Sequence, residues 1–512
     1  MEKPLPSYFK VSWIAGAGLL IVLLVAYFPV LQNGFIWDDD RHLTDNPFIT
    51  NFDGLKPLWL DVRSTQQYYP LISTSFWMEY QLWGLDPLGY HIDNVLLHAM
   101  NAIVLWLILV FLGVPAAWLV SAAFALHPVH VESVAWITER KNLLSGFFYL
   151  LSLYTFLRFY FPGQSVFSSE NPVKNRSAVL YGVSLFFFIF ALFGKSITCT
   201  LPATVLLLFW WKQNRIHLKI IQLMVPFFAV GFGFATLTIW LEKFNTGAFG
   251  PEWDFSFWDR FLIAGRALWF YIGKLIWPFP LIFTYPRWNI DDSVWWQYLY
   301  PATFLLLILI LWALRNKIGR GPLTAILFFS GSLFPALGFF NIYPMRFSFV
   351  ADHFQDLASI GILLVIVGGI TRLTKKGALA SSILLLLFLG YLTWEQVPVY
   401  KNVFTLWSDT VQKNPNAWMA HYNLGNLFIA EQKTEEAIAQ YREAIRIKPD
   451  FVDVYNNWGI ALLKEGKNKE AITRFRKALE LKPGYADAQN NLKIARRAAG
   501  GQRDTPSGHE DK

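Results

Sequence analysis

The chain has 512 residues, of which 54% are apolar, 18% are aromatic and 16% are charged. This is more apolar surface than one soluble core can bury, so the composition excludes an ordinary soluble domain and indicates a polytopic membrane protein. The formal net charge is +8, which would suit a nucleic-acid ligand only if the positive residues were clustered on one soluble face.

Eleven apolar stretches are candidates to cross the bilayer, since about 20 helical residues span about 30 Å of hydrocarbon. The predicted spans are 11–30, 94–112, 116–126, 143–160, 178–194, 197–211, 221–241, 296–314, 322–340, 357–371 and 378–394. The stretch 260–280 is also apolar, but it carries Arg266 and Lys274 and ends in "WPFP". We expect an interfacial or re-entrant helix there.

Lysines and arginines fall mainly in alternate loops, which the positive-inside rule places in the cytoplasm. These residues are Lys3, Lys10, Arg158, Lys174, Arg176, Lys212, Arg215, Lys219, Arg315, Lys317, Arg320, Arg372, Lys375 and Lys376. The N-terminus is then inside and the C-terminus outside, and residues 31–90, 127–142, 242–260 and 341–356 face the exterior or lumen. Topology therefore accounts for the positive charge, and no nucleic acid is expected as a partner.

Carboxylates follow the first predicted span in the stretch "NGFIWDDDRHLTDNPFI". A solvated loop start would explain any one of Asp38, Asp39 and Asp40. The next span, however, opens with His91, Asn94, His98 and Asn101, whose spacing places all four on one helical face. Polar groups in a span usually line a protein interior or a wet cavity.

Further charged residues fall in the other predicted external segments. In "HPVHVESVAWITERKN", Glu132, Trp136 and Arg140 would stack at four-residue intervals if the segment were one helix. Lys195 lies between two apolar runs, where an ammonium group needs an anionic partner. The segment "MRFSFVADHFQDLASIG" adds the charged residues Arg346, Asp352, His353 and Asp356. Carboxylates and cations thus converge on one face of the bilayer, which suits a reaction whose donor is a lipid phosphate.

A repeat begins after residue 395. "HYNLGNLFIAEQKTEEAIAQYREAIRIKPD" and "YNNWGIALLKEGKNKEAITRFRKALELKPG" superpose with a shift of 34 residues, pairing Gly425 with Gly459 and Pro449 with Pro483. This is the tetratricopeptide pattern. We predict a repeat domain over 396–499, with a half repeat before the two full repeats and a capping helix after them, and a disordered tail over 500–512.

The order of these motifs resembles one family. "FIWDDDRHLTDNPFI", "HIDNVLLHAMN", "HPVHVESVAWITERKNLLS", "GKSITCTLP" and "VADHF", followed by tetratricopeptide units, are similar to the transmembrane and tetratricopeptide-repeat proteins, a branch of the type C glycosyltransferase superfamily. The resemblance implies an all-α membrane domain over 1–395, with about eleven spans and an interfacial helix. It also implies inverting transfer of a mannose-like hexose from undecaprenyl or dolichyl phosphate to a protein Ser or Thr hydroxyl.

The resemblance also implies roles for particular residues. The acidic pair of the first external loop falls on Asp38 and Asp39, and one of them would be the catalytic base. The donor phosphate would be held by Arg140, Lys195, Arg346 and His353. The supporting polar face would comprise His91, Asn94, His98, Glu132 and Asp352. A divalent cation, magnesium or manganese, is possible beside the aspartates because some type C enzymes bind one, but protein mannosyltransferases are expected to work without a metal, and no metal ligand is assigned.

Two other classes of function compete with this interpretation. A non-catalytic membrane scaffold would use the repeats to recruit envelope proteins, but an anchor needs neither so many spans nor an intramembrane polar face. A transporter would be expected to show a repeated half or matching broken helices. The sequence shows neither, which argues against a transporter. The enzyme interpretation places the protein in the plasma (inner) membrane, or in the endoplasmic reticulum of a eukaryote, with the repeats outside the cytoplasm and bound to the acceptor or a partner.

Overall fold

The computed structural model describes residues 13–161, 177–373 and 377–501. Every regular element among them is a helix, which confirms the all-α prediction. The described residues form two compact units: the first runs to Phe283 and from Arg287 to Asn402, and the second from Val403 onward together with Thr284–Pro286. Most of the predicted disordered tail, 502–512, lies outside the described residues, as do several basic residues of the predicted cytoplasmic loops.

Helices of the first unit follow the apolar stretches of the sequence. Their bounds are α1 Trp13–Ala26, α2 Leu55–Leu60, α3 Pro70–Trp83, α4 Pro87–Phe111, α5 Ala117–Leu126, α6 Val131–Ala135, α7 Arg140–Tyr160, α8 Ala178–Gly194, α9 Leu201–Gln213, α10 Leu218–Phe244, α11 Phe257–Ile276, α12 Leu299–Ile318, α13 Gly321–Leu333, α14 Ser359–Leu373 and α15 Ala378–Gln396.

Five helical segments in the described part of the chain are long and apolar enough to cross a membrane, so the protein is an integral membrane protein. They are Pro87–Phe111, Ile137–Tyr160, Leu218–Phe244, Trp295–Ile318 and Ala378–Tyr400. Each predicted span overlaps a helix, but the count of eleven is not confirmed because α1, α5, α8, α9, α13 and α14 are shorter. The predicted interfacial segment forms α11, which is not among the five.

The helices differ in how much protein surrounds them. In the 18-residue apolar stretch of α4, 67% is buried inside the protein, compared with 11% in the corresponding stretch of α15. Every residue from 119 to 143 is buried. The polar residues between α5 and α7 therefore lie in the centre of the first unit, where each needs a protein partner.

The segment between α5 and α7 is not one helix. α6 ends at Ala135, Trp136 is extended at φ −93° and ψ 113°, and a 3₁₀ turn, Ile137–Glu139, leads into α7. The expectation that Glu132, Trp136 and Arg140 stack on one face is therefore wrong. The break at Trp136 sends Glu132 and Arg140 toward different partners.

The second unit consists of antiparallel helix pairs. Its helices are α16 Val403–Lys413, α17 Trp418–Ala430, α18 Thr434–Ile447, α19 Val452–Lys464, α20 Asn468–Leu481 and α21 Ala486–Gly501. The repeated glycines lie where paired helices touch: a Cβ on Gly425 would lie 2.4 Å from the Tyr441 ring, and one on Gly459 would lie 2.5 Å from the Phe475 ring. Only glycine allows these helices to approach so closely.

Candidate functional site

The acidic stretch begins in a strained turn. Trp37 has a φ of 48°, a left-handed conformation that a bulky residue rarely adopts. Beyond this turn the neighbouring aspartates have different surroundings. Asp39 is fully buried, whereas 25% of the Asp38 side chain is exposed.

Asp39 is held by the backbone. Its Oδ2 accepts the N–H of Ile36 at 2.8 Å, and its Oδ1 accepts the N–H of Thr138 at 2.9 Å. Burial raises the pKa of Asp39 to about 8, although these two hydrogen bonds act in the opposite direction. Through these contacts Asp39 links the first loop to the turn before α7.

Asp38 lies beside the same turn but stays accessible. Its Oδ1 accepts the hydroxyl of Thr138 at 2.9 Å, and Nε2 of His42 lies 3.7 Å from its Oδ2. Burial lowers the pKa of His42, with the Asp38 charge opposing. Asp38 is therefore the member of the acidic pair whose side chain stays partly exposed.

Arg140 is engaged by the protein itself. Its guanidinium forms an ion pair with Glu79 of α3, donates from Nε to Oδ1 of Asn94 at 2.7 Å, and donates from Nη2 to the Tyr90 carbonyl at 2.9 Å. The side chain is 1% exposed and lies over the Phe76 ring. These contacts fix the start of α7 and leave no open face toward a donor phosphate.

Two lysines converge on one carboxylate next to Asp38. Nζ of Lys141 lies 2.9 Å from Oε1 of Glu139, and Nζ of Lys195 lies 3.4 Å from Oε2 of the same residue. Lys195 also donates to Oδ1 of Asn142 at 2.7 Å, while burial lowers its pKa and Glu139 opposes that shift. Asp38, Thr138, Glu139 and the two lysines thus form a continuous polar cluster, which we call the Asp38 cluster.

Lys141 and Glu139 of the Asp38 cluster were not singled out from the sequence, although both belong to the quoted "ITERKN". The alternating charges at 139, 140 and 141 were the available signal. Which of them faces the aspartate depends on the 3₁₀ turn Ile137–Glu139, and a helical periodicity does not predict that turn.

The remaining predicted phosphate ligands pair with other carboxylates, although His353 lies close enough to Glu139 to interact with its charge. His353 pairs through Nδ1 with Glu132 at 3.0 Å, and its backbone N–H also donates to Glu132 at 3.0 Å. Arg346 pairs with Glu252 at 3.0 Å. These contacts join neither residue directly to the Asp38 cluster.

The predicted polar face of α4 is buried. His91, Asn94 and His98 are 0% exposed and Asn101 is 1% exposed. Asn94 donates to the carbonyls of Val134 and Ile137 at 3.2 and 3.4 Å, so this face holds the broken segment in place. Asp352 is likewise buried, next to Gln355.

A small cavity lined by both polar and apolar side chains lies beside the Asp38 cluster. It encloses about 20 Å³, room for about one water molecule, and is lined by Asn142, Ser145, Ser332, His353 and Asp356 among others. Asp356 accepts Nδ1 of His130 at 2.7 Å. No group of three or more His, Cys, Asp or Glu side chains arranged to hold a metal ion occurs within the described ranges.

The fold defines a class: a helical integral membrane protein with a C-terminal module of tetratricopeptide repeats. The family described as "TPR repeat" matches residues 425–466, and the one described as "Tetratricopeptide repeat" matches 452–485. The predicted repeats are therefore confirmed.

Over most of its length the chain is similar to protein O-mannosyl-transferases, which confirms the resemblance found in the sequence. One from Caenorhabditis elegans is 26% identical over 457 residues, 85% of this chain and 62% of that protein. The human TMTC1 is 24% identical, covering 88% of this chain and 57% of that protein. The human TMTC3 is 22% identical, covering 85% and 51%. The chain thus spans between 51% and 62% of the length of these relatives.

Proposed function

We propose that this protein is a membrane glycosyltransferase that moves a mannose-like hexose from a polyprenyl-phosphate donor to a Ser or Thr hydroxyl of a protein, with inversion. The names of the relatives support protein O-mannosylation. The observation that carries the proposal is the Asp38 cluster, in which an accessible carboxylate lies beside two lysines that share one buried glutamate.

The cluster divides the chemistry between its two ends. Asp38 takes the proton from the acceptor hydroxyl as the oxygen attacks the anomeric carbon of the donor. The bond from that carbon to the phosphate oxygen breaks, and its electron pair leaves with the polyprenyl phosphate. Lys141 and Lys195 hold the negative charge that develops on this leaving group. A single displacement of this kind inverts the anomeric configuration.

Asp38 is a better base than Asp39 because of what already occupies their oxygens. Both oxygens of Asp39 accept backbone N–H groups in a site closed to solvent. Asp38 accepts the Thr138 hydroxyl on one oxygen and keeps a quarter of its side chain exposed. We assign the donor phosphate to Lys141 and Lys195 because both belong to the Asp38 cluster, and we give Arg140, which is held by Glu79, Asn94 and Tyr90, a positioning role.

Transfer by the purified protein tests the proposal. The wild type, Asp38→Asn and Asp39→Asn are incubated with polyprenyl-phosphate hexoses and a peptide library, and glycopeptides are identified by mass spectrometry. We expect transfer by the wild type and a loss of about 100-fold or more in kcat for Asp38→Asn, the usual size of a general-base contribution. Equal turnover by all three proteins would overturn the assignment and favour the scaffold alternative.

We further propose that the Asp38 cluster and the repeats lie on the extracytoplasmic side. The alternating basic loops support this orientation. Single cysteines at Asn214 and Asp450, in a Cys199→Ser background, would be probed with an impermeant thiol reagent. Asp450→Cys is expected to react from outside and Asn214→Cys only after permeabilisation, while labelling of both from one side would contradict the topology.

A further inference from the structure

Two arginines of the repeat module share one tryptophan. Arg474 of α20 lies with its guanidinium carbon 3.7 Å from the ring centre of Trp458, and Arg442 of α18 lies 5.7 Å from the same ring. Trp458 belongs to α19 and is 6% exposed. Three consecutive helices therefore bring two cations to one aromatic side chain.

Neither arginine forms an ion pair with a carboxylate among the described residues, although Glu470, one turn before Arg474, interacts with it electrostatically. Other basic side chains of the module pair with carboxylates: Lys413 with Asp409, Lys433 with Glu431, Arg446 with Glu443, Lys467 with Glu465 and Lys477 with Glu480. By contrast, Nε of Arg474 is buried without a hydrogen-bond acceptor. A buried donor left unpaired destabilises the fold, so packing within the module does not account for an arginine at this position.

The neighbouring repeat shows what a structural residue would look like at this place. One repeat earlier, the position equivalent to Arg474 is Gln440. Its Oε1 is hydrogen-bonded to Nδ1 of His421 at 2.7 Å. In the next repeat, His421 is replaced by Tyr455 and Gln440 by Arg474. A satisfied neutral pair has thus been exchanged for a cation that repels Arg442, and helix packing does not require that exchange.

We propose that Arg442, Arg474 and Trp458 form a binding site for the carboxylates of an acidic segment of the acceptor protein. Guanidinium groups present N–H donors in a fork that matches a carboxylate, and a carboxylate between the two arginines would pair both charges at once. The site lies on a repeat module, an architecture whose stacked helices form extended binding surfaces. The bound protein's identity as the acceptor rests on the proposed function, whereas the binding of an acidic segment does not.

Peptide binding to the full-length protein in nanodiscs tests the inference. A fluorescent Ser/Thr peptide rich in Glu is compared, by anisotropy at low ionic strength, with the same peptide carrying Gln in place of Glu. We expect the acidic peptide to bind the wild type about tenfold more tightly, the usual worth of a charge-assisted hydrogen bond. In the double variant Arg442→Gln/Arg474→Gln, the two peptides should bind within about twofold of each other.

Matched controls make the outcome decisive. Arg476 is exposed and occupies the position equivalent to Arg442 one repeat later, so Arg476→Gln should keep the preference for the acidic peptide. The double variant is expected to fold, because the preceding repeat already has Gln at the position of Arg474, and thermal unfolding checks this. Equal binding of the two peptides by the wild type, or a preference that survives in the double variant, would overturn the inference.

The same measurement separates carboxylate from phosphate. If inorganic phosphate or a phosphorylated peptide competes at lower concentration than the acidic peptide, the carboxylate assignment is overturned. Normal glycosyl transfer without an acidic preference would count against this inference alone, whereas an acidic preference without any transfer would count against the proposed function alone.

Discussion

The hydroxyl of Thr138 donates to Oδ1 of Asp38 at 2.9 Å. The backbone N–H of the same threonine donates to Asp39 at 2.9 Å, so one residue sets the position of both aspartates. Because Glu139 follows directly and holds the two lysines, the first loop, the turn before α7 and the start of the Ser196–Thr200 turn form one polar unit.

Asp39→Asn is expected to destabilise the protein more than it impairs the chemical step. Above about pH 8, where Asp39 is ionised and accepts both N–H groups, an asparagine keeps one acceptor oxygen but turns an NH₂ group toward a backbone N–H, which leaves one buried donor unpaired. The expected cost is about 1–3 kcal/mol. Thermal unfolding in detergent measures it, and Asp38→Asn, whose side chain is partly exposed, serves as the control. If Asp39→Asn lost most of its transfer activity at unchanged stability, Asp39 and not Asp38 would be the catalytic base.

Asp39 should also make stability depend on pH. Burial raises its pKa from 3.8 in the unfolded chain to about 8 in the folded one, so the folded state binds more protons in this interval. Its contribution is fully present below about pH 4 and is lost as the pH rises through about 8. The unfolding temperature of the wild type should therefore fall over this range relative to that of Asp39→Asn. Parallel pH profiles for the two proteins would show that Asp39 stays ionised.

Arg140→Gln should unfold at a much lower temperature than the wild type. The substitution leaves the buried Glu79 without its cation, and breaking a buried pair on one side typically costs about 3–5 kcal/mol. The double variant Glu79→Gln/Arg140→Gln should recover part of this loss because no unpaired charge remains. A conservative Arg140→Lys variant with normal stability but a raised KM for the donor would instead restore a phosphate-binding role to Arg140.

Lys141→Gln and Lys195→Gln should each weaken transfer. Either change removes one of the two cations assigned to the leaving phosphate, and we expect kcat/KM for the donor to fall about 10–100-fold. Lys243, an exposed residue near the end of α10, provides the control Lys243→Gln. Unchanged kinetics in both cluster variants would place the phosphate elsewhere.

Gly459→Ala should loosen the second repeat. The new Cβ would lie 2.5 Å from the Phe475 ring, and overpacking of this kind costs about 1–3 kcal/mol. Hydrogen exchange of the full-length protein, followed by mass spectrometry, should show faster exchange in α19 and α20. Gly484→Ala, where nothing lies within 4 Å of the added atom, should exchange as the wild type does.

Some residues of the proposed site could be singled out from the sequence. Asp38, Asp39 and Lys195 were identified because charged residues are costly at the edge of apolar spans and stand out there. The choice between the two aspartates was not predictable, because it depends on the left-handed turn at Trp37. Arg140 was preferred over its neighbour Lys141 for a similar reason: a helical period does not foresee the 3₁₀ turn that directs Arg140 to Glu79 and Lys141 to Glu139.

The sequence by itself determined the membrane class, the all-α architecture and the repeats, because hydropathy over a helix length and a period of 34 residues are local properties of the chain. Only the tertiary structure decided which charges meet. Glu79 and Arg140 are 61 positions apart, and Glu139 and Lys195 are 56 apart, so their pairing depends on how α3, α7 and the turn after α8 pack. Burial of the whole stretch 119–143 then favours partners within the fold for its polar groups, as Asn142 finds in Ser133 and Glu139.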